Sequence, residues 1–532
     1  MRDLETIVPR IWRRDTAVWM PQGRESETAA RAIGNRLGWL DAPETMAEHA
    51  NRVSALAEMA RREGVRDVHL IGMGGSSLCA EVMRTSQAGH AAERDGAPAL
   101  HILDTTDERA LTAVAGRMDP SRTWFLVASK SGGTVEVASL ERYFWSRMRA
   151  ALGERAGRHF VAITDPGTVL EALARERGYR DTFLNPPDVG GRFSALTLFG
   201  LVPAALIGMD PRHLLRAAAE MAAGCHETGP LNPGLALGAF MAHECSHGRD
   251  KLTVLLPPSL RTLGLWIEQL VAESTGKHGT GVLPIVDEDP RAATAYGPDR
   301  AFVSLETERD RVDADVDAIE GAGHPLLRLT MRSDALGAEF FRWEFATAVA
   351  GAALEINPFD EPNVQEAKDR TKALLAQVVQ GGALQDAPPA EADSARALAA
   401  LVRQLAPPRY LGILSYLPVE SDTLEAIAEF RAAVGDRTQA ATTLGVGPRY
   451  LHSTGQYHKG GPDTGTFLVV TGEDETATPV PDAPYTFSVL KRAQAIGDLQ
   501  ALQAHSRKVV RVHLGAMNER GHALRRIFRT AL

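Results

Sequence analysis

The stretch LIGMGGSSLCAEV, residues 70–82, sets Gly74, Gly75, Ser76 and Ser77 between an apolar run and a segment of helical character. A strand that ends on small residues and turns at once into a helix is an anion-accepting junction. In an open α/β sheet, ligands lie beyond the carboxyl ends of the strands, where helix N-termini offer unpaired N–H groups and glycine lets a phosphate touch the backbone. SKSGGTVE (129–136) repeats the pattern, adding hydroxyls from Ser129, Ser131 and Thr134 and a cation from Lys130. Two such loops in one sheet point to one phosphate. Either loop alone is a weak sign, because small polar residues also serve as turns and N-caps. Neither matches the Walker pattern or the dinucleotide fingerprint.

Outward from this point, strand-like runs alternate with helix-like segments: VHLIGMG (68–74), LHILDTT (100–106), TWFLVASKS (123–131) and HFVAITDP (159–166). That alternation predicts a doubly wound parallel sheet. A second unit follows, with the apolar segment LALGAFMAHECSHG (235–248), then KLTVLLP (251–257), AFVSLET and LLRLTM. ALQDAPPAEADSARAL (383–398), rich in Ala, Pro and acids, reads as a surface connection. YLGILSYLP (410–418), TFLVVTGE (466–473) and VVRVHLG (509–515) resume the alternation. The expected organisation is a helical arm over 1–46, α/β units over 47–210 and 211–382, a linker over 383–398, and a C-terminal α/β segment over 399–532. No internal repeat of fixed period is evident.

The 532 residues are 44% hydrophobic and 23% charged, ordinary for a globular protein of several units. A formal charge of -9 gives no basic field for nucleic acid or an anionic membrane surface. Cys79, Cys225 and Cys245 have neither disulfide nor zinc-knuckle spacing, which suits a reducing cytoplasm. No apolar stretch is long enough to span a bilayer, and MRDLETIVPRIWRRD lacks the apolar region of a signal peptide. HECSH (243–247) satisfies a zinc-protease pattern, but Gly248 follows directly and no third ligand is evident, so no metal is expected.

GMGGSS, SKSGGTVE, GGRFS (190–194), EQLVAESTGK (268–277), NPFDEPNVQEAK (357–368) and LHSTGQYHKGG (451–461) together resemble the glucose-6-phosphate isomerase family. The closest likeness is to the isomerase half that some bacteria fuse to transaldolase, although the segment before the first block is too short for a transaldolase barrel. The resemblance implies two sugar isomerase (SIS) domains, each a doubly wound parallel-sheet αβα sandwich, here followed by the C-terminal α/β segment. It also implies interconversion of glucose 6-phosphate and fructose 6-phosphate, without metal or cofactor, in a homodimer or monomer. Gly75, Ser76, Ser129, Lys130, Ser131, Thr134, Gly191, Gln269 and Glu361 stand where the family binds substrate. Glu273 stands at the position of the base, Arg192 faces the reacting oxygens, Lys368 and His452 serve ring opening, and Glu136 orients His452.

These residue types suit the chemistry. One carboxylate above a cis-enediol can move a proton between carbons 2 and 1, as Glu273 would. An arginine that stays charged in a closed site stabilises the enediolate oxygen, as Arg192 would. A histidine exchanges a proton near neutral pH, as His452 would with Glu136 holding its ring. Gln269, one helical turn before Glu273, shares its face. Two features depart from the family. Glu361 replaces a glutamine, and the histidine motif follows the base and lysine motifs instead of lying between them. A broader isomerase acting on mannose 6-phosphate or another anionic hexose is an alternative. So is a non-catalytic SIS-domain sensor, which would need Ser76 and the 129–134 loop but not Glu273, Arg192 or His452.

Overall fold

The computed structural model describes residues 4–20, 26–86, 96–382, 384, 386–515 and 517–532. The chain builds three open sheets whose strands all pair in parallel. The first comprises β1 (Asp67–Ile71), β2 (Ala99–Leu103), β3 (Thr123–Ala128), β4 (Phe160–Thr164) and β5 (Asp181–Leu184), in the order β2-β1-β3-β4-β5. β6 (Lys251–Leu255), β7 (Leu283–Ile285), β8 (Arg300–Thr307) and β9 (Leu326–Met331) form the second, in the order β7-β6-β8-β9. The third runs β11-β10-β12-β13, from β10 (Tyr410–Ser415), β11 (Thr442–Val446), β12 (Gly465–Gly472) and β13 (Lys508–Leu514). The two doubly wound units expected from the sequence are present, and the C-terminal segment is a third with a sheet of its own.

Strands covered on both faces read as unbroken apolar runs. β3, TWFLVA, is buried along its whole length, and its register against β1 puts Thr123 beside Asp67. In each sheet the chain passes from the first strand to the second on one side and to the third on the other. That reversal opens a crevice between β1 and β3, β6 and β8, and β10 and β12. The loops 72–77 and 129–134 flank the first of these crevices at its carboxyl end.

The N-terminal arm is pinned to the second unit. Trp12 Nε1 donates to Cys225 O at 2.9 Å, and Trp19 Nε1 donates to Ala348 O at 2.8 Å on the helix Leu336–Ala353. The stretch 383–398 departs from its reading as a surface linker. The helix Glu391–Arg403 begins inside it and buries Ser394, Ala395 and Leu398, because the alanine spacing that looked like linker composition gives one apolar helical face. Ahead of that helix, the Asp386 carboxylate is held by Arg492 at 2.9 Å and by Arg511 at 2.8 Å, while Ala383 and Gln385 lie outside the described residues.

The helix Val364–Val379, assigned by sequence to the second unit, packs Leu374 and Leu375 against Leu490, Ala493 and Ile496 of the helix Phe487–Ala504 in the third. In HECSH, the helix ends at Ser246, the His243 and His247 rings lie 4.2 Å apart, His247 Nδ1 lies 2.7 Å from His243 O, and Glu244 is bound by Arg249. Cys79, Cys225 and Cys245 are unpaired. Among the described residues no helix is long and apolar enough to cross a membrane.

Candidate active site

The carboxyl edge of the first sheet faces that of the third. Glu108, just beyond β2, accepts from Thr476 Oγ1 at 2.7 Å and from the Ser488 N–H at 2.7 Å, and Lys491 reaches Asp107 at 2.8 Å. The second unit enters this cleft with the far end of its helix Leu263–Thr275. That helix starts at the carboxyl edge of its own sheet, and at 1.5 Å per residue Glu273 lies about 15 Å from its start. Gln269 and Glu273 share a face as predicted, and Gln269 Nε2 donates to Glu273 Oε2 at 3.2 Å.

Glu273 is buried, and Arg192 Nη1 lies 3.2 Å from its Oε1. Burial raises the Glu273 carboxyl above its ordinary range. The Glu361 charge adds to the rise, against the pull of Arg192, His452 and Gln269. Arg192 comes from the turn Gly191–Phe193 and is held on every side of its fork. Nε donates to Ser274 Oγ at 3.0 Å, Nη2 to the Pro358 and Asp360 carbonyls at 3.1 Å each, and Nη1 to Glu361 Oε2 at 2.9 Å. Glu361, placed by sequence among the substrate-binding residues, thus shares one N–H group with the base while its side chain remains half exposed. Beside it Lys277, fully buried, contacts Asp360 Oδ1 at 2.7 Å, and burial lowers its ammonium to about 8.

His452 and Glu136 meet across the first and third units, with His452 Nε2 3.0 Å from Glu136 Oε1. Burial works to raise the Glu136 carboxyl, but the His452 ring, through charge and hydrogen bond, and Lys368 hold it below the ordinary carboxylate range. The His452 carbonyl accepts from Gln269 Nε2 at 2.7 Å, which ties the histidine turn to the helix of the base. All of this lies within one chain. Lys368 is exposed on the helix Val364–Val379 and makes no hydrogen bond among the described residues, acting on Glu136 by charge alone.

The first glycine loop is packed closely. A Cβ at Gly75, which is buried, would sit 2.0 Å from Gly191 O. At Gly74, with φ +56°, a Cβ would meet Gln269 Nε2 at 2.6 Å and His452 O at 2.7 Å. The missing side chains of this loop therefore make room for the protein's own segments that carry Gln269, His452 and Gly191. Gly191, by contrast, has nothing within 4 Å of its Cβ position. Ser76 is half-buried at the end of the turn Gly74–Ser76.

In the second loop, Ser129 Oγ and Thr134 Oγ1 lie 3.2 Å apart, and Ser131 is exposed with its Oγ accepting from the Gly133 N–H at 3.3 Å. The Lys130 ammonium is turned away to Asp165 and to Pro187 O, leaving the Lys130 backbone as its share of the loop. One close partner escaped sequence reasoning: Gln494 Nε2 donates to Glu136 Oε1 at 2.6 Å.

A sequence model of the phosphoglucose isomerase family matches residues 43–289, which takes in both glycine loops, Arg192 and Glu273. The glucose-6-phosphate isomerase of Rubrobacter xylanophilus is 30% identical over 410 residues, covering 66% of this chain and 94% of its own length. That of Thermus thermophilus is 30% identical, covering 64% and 91%. Among solved structures, a hypothetical protein of Thermus thermophilus superposes with a TM-score of 0.58 at 25% identity, over 70% of this chain and 96% of its own. The Chlamydia trachomatis glucose-6-phosphate isomerase does so with a TM-score of 0.56 at 18% identity, over 71% and 85%, a likeness of fold. Matched to curated relatives at this identity over nearly their whole length, the chain belongs to the glucose-6-phosphate isomerase family.

Proposed function

We propose that this chain interconverts D-glucose 6-phosphate and D-fructose 6-phosphate through ring opening and a cis-enediol. The observation that carries this reading is the convergence of a buried carboxylate, Glu273, with the Arg192 guanidinium at 3.2 Å, beside the His452–Glu136 pair at 3.0 Å. The sugar phosphate is anchored by Ser76, Ser129, Ser131 and Thr134, far enough from the reacting carbons to fix the substrate without entering the chemistry. His452 returns a proton to the ring oxygen while the carbon 1 hydroxyl gives one up, opening the ring. Glu273 then takes the carbon 2 proton and the carbon 1 carbonyl oxygen becomes the enediolate oxygen; that oxygen gains a proton as the carbon 2 hydroxyl gives one up, and Glu273 delivers its proton to carbon 1, leaving a ketone at carbon 2. Arg192 holds the negative charge that develops on the enediolate oxygen. Lys368, whose charge acts on Glu136, assists ring opening. A sensor would have no use for a base and a histidine dyad brought together in this way.

The test is Glu273→Gln. Turnover of glucose 6-phosphate falls by about 10²- to 10⁴-fold, the scale of general-base catalysis, while the sugar phosphate still binds. Near wild-type turnover would overturn the assignment. Parallel assays with mannose 6-phosphate and glucosamine 6-phosphate set the substrate range. Mixing Glu273→Gln with His452→Ala restores no activity if each site is completed within its own chain, and recovery would show sites shared between subunits.

A further inference from the structure

The helix Phe487–Ala504 of the third unit carries Lys491, Gln494 and Asp498 at i, i+3 and i+7, along one face. Each of the three fixes a different part of the cleft. Lys491 bridges Asp107 at 2.8 Å and Asp474 at 2.5 Å, locking the helix to the first sheet's edge. Asp498 Oδ2 accepts from Tyr450 OH at 2.6 Å, and Tyr450 belongs to the same short turn, Arg449–His452, as the histidine. Gln494, between them, is 2% exposed and donates to Glu136 Oε1.

We propose that Gln494 is a positioning residue for ring opening, holding Glu136 as the carboxylate that orients His452; this rests on the site reading above. The amide has only one workable orientation. Its carbonyl oxygen accepts from Thr106 Oγ1 at 3.3 Å, so its NH₂ end faces Glu136; turned over, it would press oxygen against carboxylate in a buried site. Glu136 Oε1 then receives two hydrogens on one oxygen, from Gln494 and from His452 Nε2, which lies 3.0 Å away. With Glu136 as the orienting carboxylate, His452 carries its hydrogen on Nε2, toward Glu136, and presents Nδ1 to the sugar. Deleting the amide leaves a buried carboxylate with one fewer donor and free to turn away from the ring.

The experiment separates ring opening from carbon 2 chemistry. Exchange between the α and β anomers of glucose 6-phosphate needs the ring to open and close but needs no base at carbon 2, and exchange NMR measures it directly. In a Glu273→Gln background, adding Gln494→Leu lowers catalysed anomer exchange by about tenfold or more, the scale of one hydrogen bond to a charged group. Affinity for an open-chain five-carbon aldonate phosphate stays within about threefold, since that ligand needs no ring opening. Gln494→Glu, equal in volume and polar, loses exchange in the same way and guards against a packing defect in the leucine variant. Anomer exchange at the rate of the Glu273→Gln parent, or lost only together with analogue binding, would overturn the proposal. Normal isomerisation by Glu273→Gln itself would instead overturn the site reading and leave the Gln494 result readable on its own.

Discussion

The first and third sheets share the strand pattern in which the second and third strands flank the first, and they face each other edge to edge, yet they contribute unlike things to the cleft. The first contributes loops: Ser76, Ser129, Ser131 and Thr134 at strand ends, with glycines between. The third contributes the proposed proton machinery: His452 on a turn after β11, and Gln494 and Asp498 on the helix after β12. Binding an anion takes hydroxyls and bare backbone, which any sheet of this type supplies at its switch point. Aligning a proton takes buried, fully partnered side chains, and these come from a second body closing over the first. The base stands between, at the end of a helix whose own sheet edge lies elsewhere.

The largest expected effect tests whether that division holds at Arg192, which belongs to the binding sheet by chain but to the chemistry by contact. Arg192→Ala lowers kcat by about 10²- to 10³-fold, as loss of a charge-stabilising donor does, with a smaller change in KM. Arg192→Lys recovers little, because a point charge cannot replace a fork that serves Ser274, two carbonyls and two carboxylates together. A loss confined to KM would return Arg192 to the binding group.

The second prediction sets two glycines of the first unit against each other. Gly75→Ala drives a methyl group into Gly191 O, displacing the loops that carry Ser76 and Arg192. Stability falls by about 1–3 kcal/mol, and kcat/KM falls on the scale of a 1 Å misplacement, about 10²-fold. Gly191→Ala meets open space, so the melting temperature stays put and any loss appears in KM. Thermal melts and steady-state kinetics of both variants check this. Equal melting temperatures would mean that the loop yields around the added methyl group.

These glycines also mark how far the sequence could be read. The alternation of runs gave the parallel units, because buried parallel strands must be continuously apolar. The paired loops and the Gln269–Glu273 spacing were legible because helix and strand periods place side chains locally. The reason for Gly74 and Gly75 was not. Their partners, Gln269, His452 and Gly191, lie far along the chain, and an approach between distant segments leaves no local pattern. Gln494 was invisible for the same cause: one glutamine in a largely buried helix acquires meaning only from Glu136 across the cleft. The segment 383–398 misled because an alanine- and acid-rich composition suits both a linker and the first turns of a helix.

The smallest expected effect concerns Glu361, the residue that departs from the family glutamine. It touches no phosphate-loop hydroxyl, and Arg192 Nη1 lies 2.9 Å from it and 3.2 Å from Glu273. Its charge therefore bears on the base. Burial raises the Glu273 carboxyl, Glu361 adds to the rise, and Arg192, His452 and Gln269 oppose it. Glu361 itself is held low, since Arg192 and Lys277 outweigh its own burial, so it is ionised wherever the enzyme works. Glu361→Gln removes one negative charge facing Glu273 while its amide oxygen can still accept from Arg192 Nη1, and the lost charge favours the Glu273 carboxylate. The base is active when ionised, so the acid limb of kcat/KM against pH moves to lower pH, while the rate at the neutral plateau changes little. Lys277 responds from the other side. Burial lowers its ammonium to about 8, and Asp360 and Glu361 are the charges that resist this, so the substitution lowers it further. An acid limb that stays in place, or moves to higher pH, would show that Glu361 acts on the substrate and not on the base.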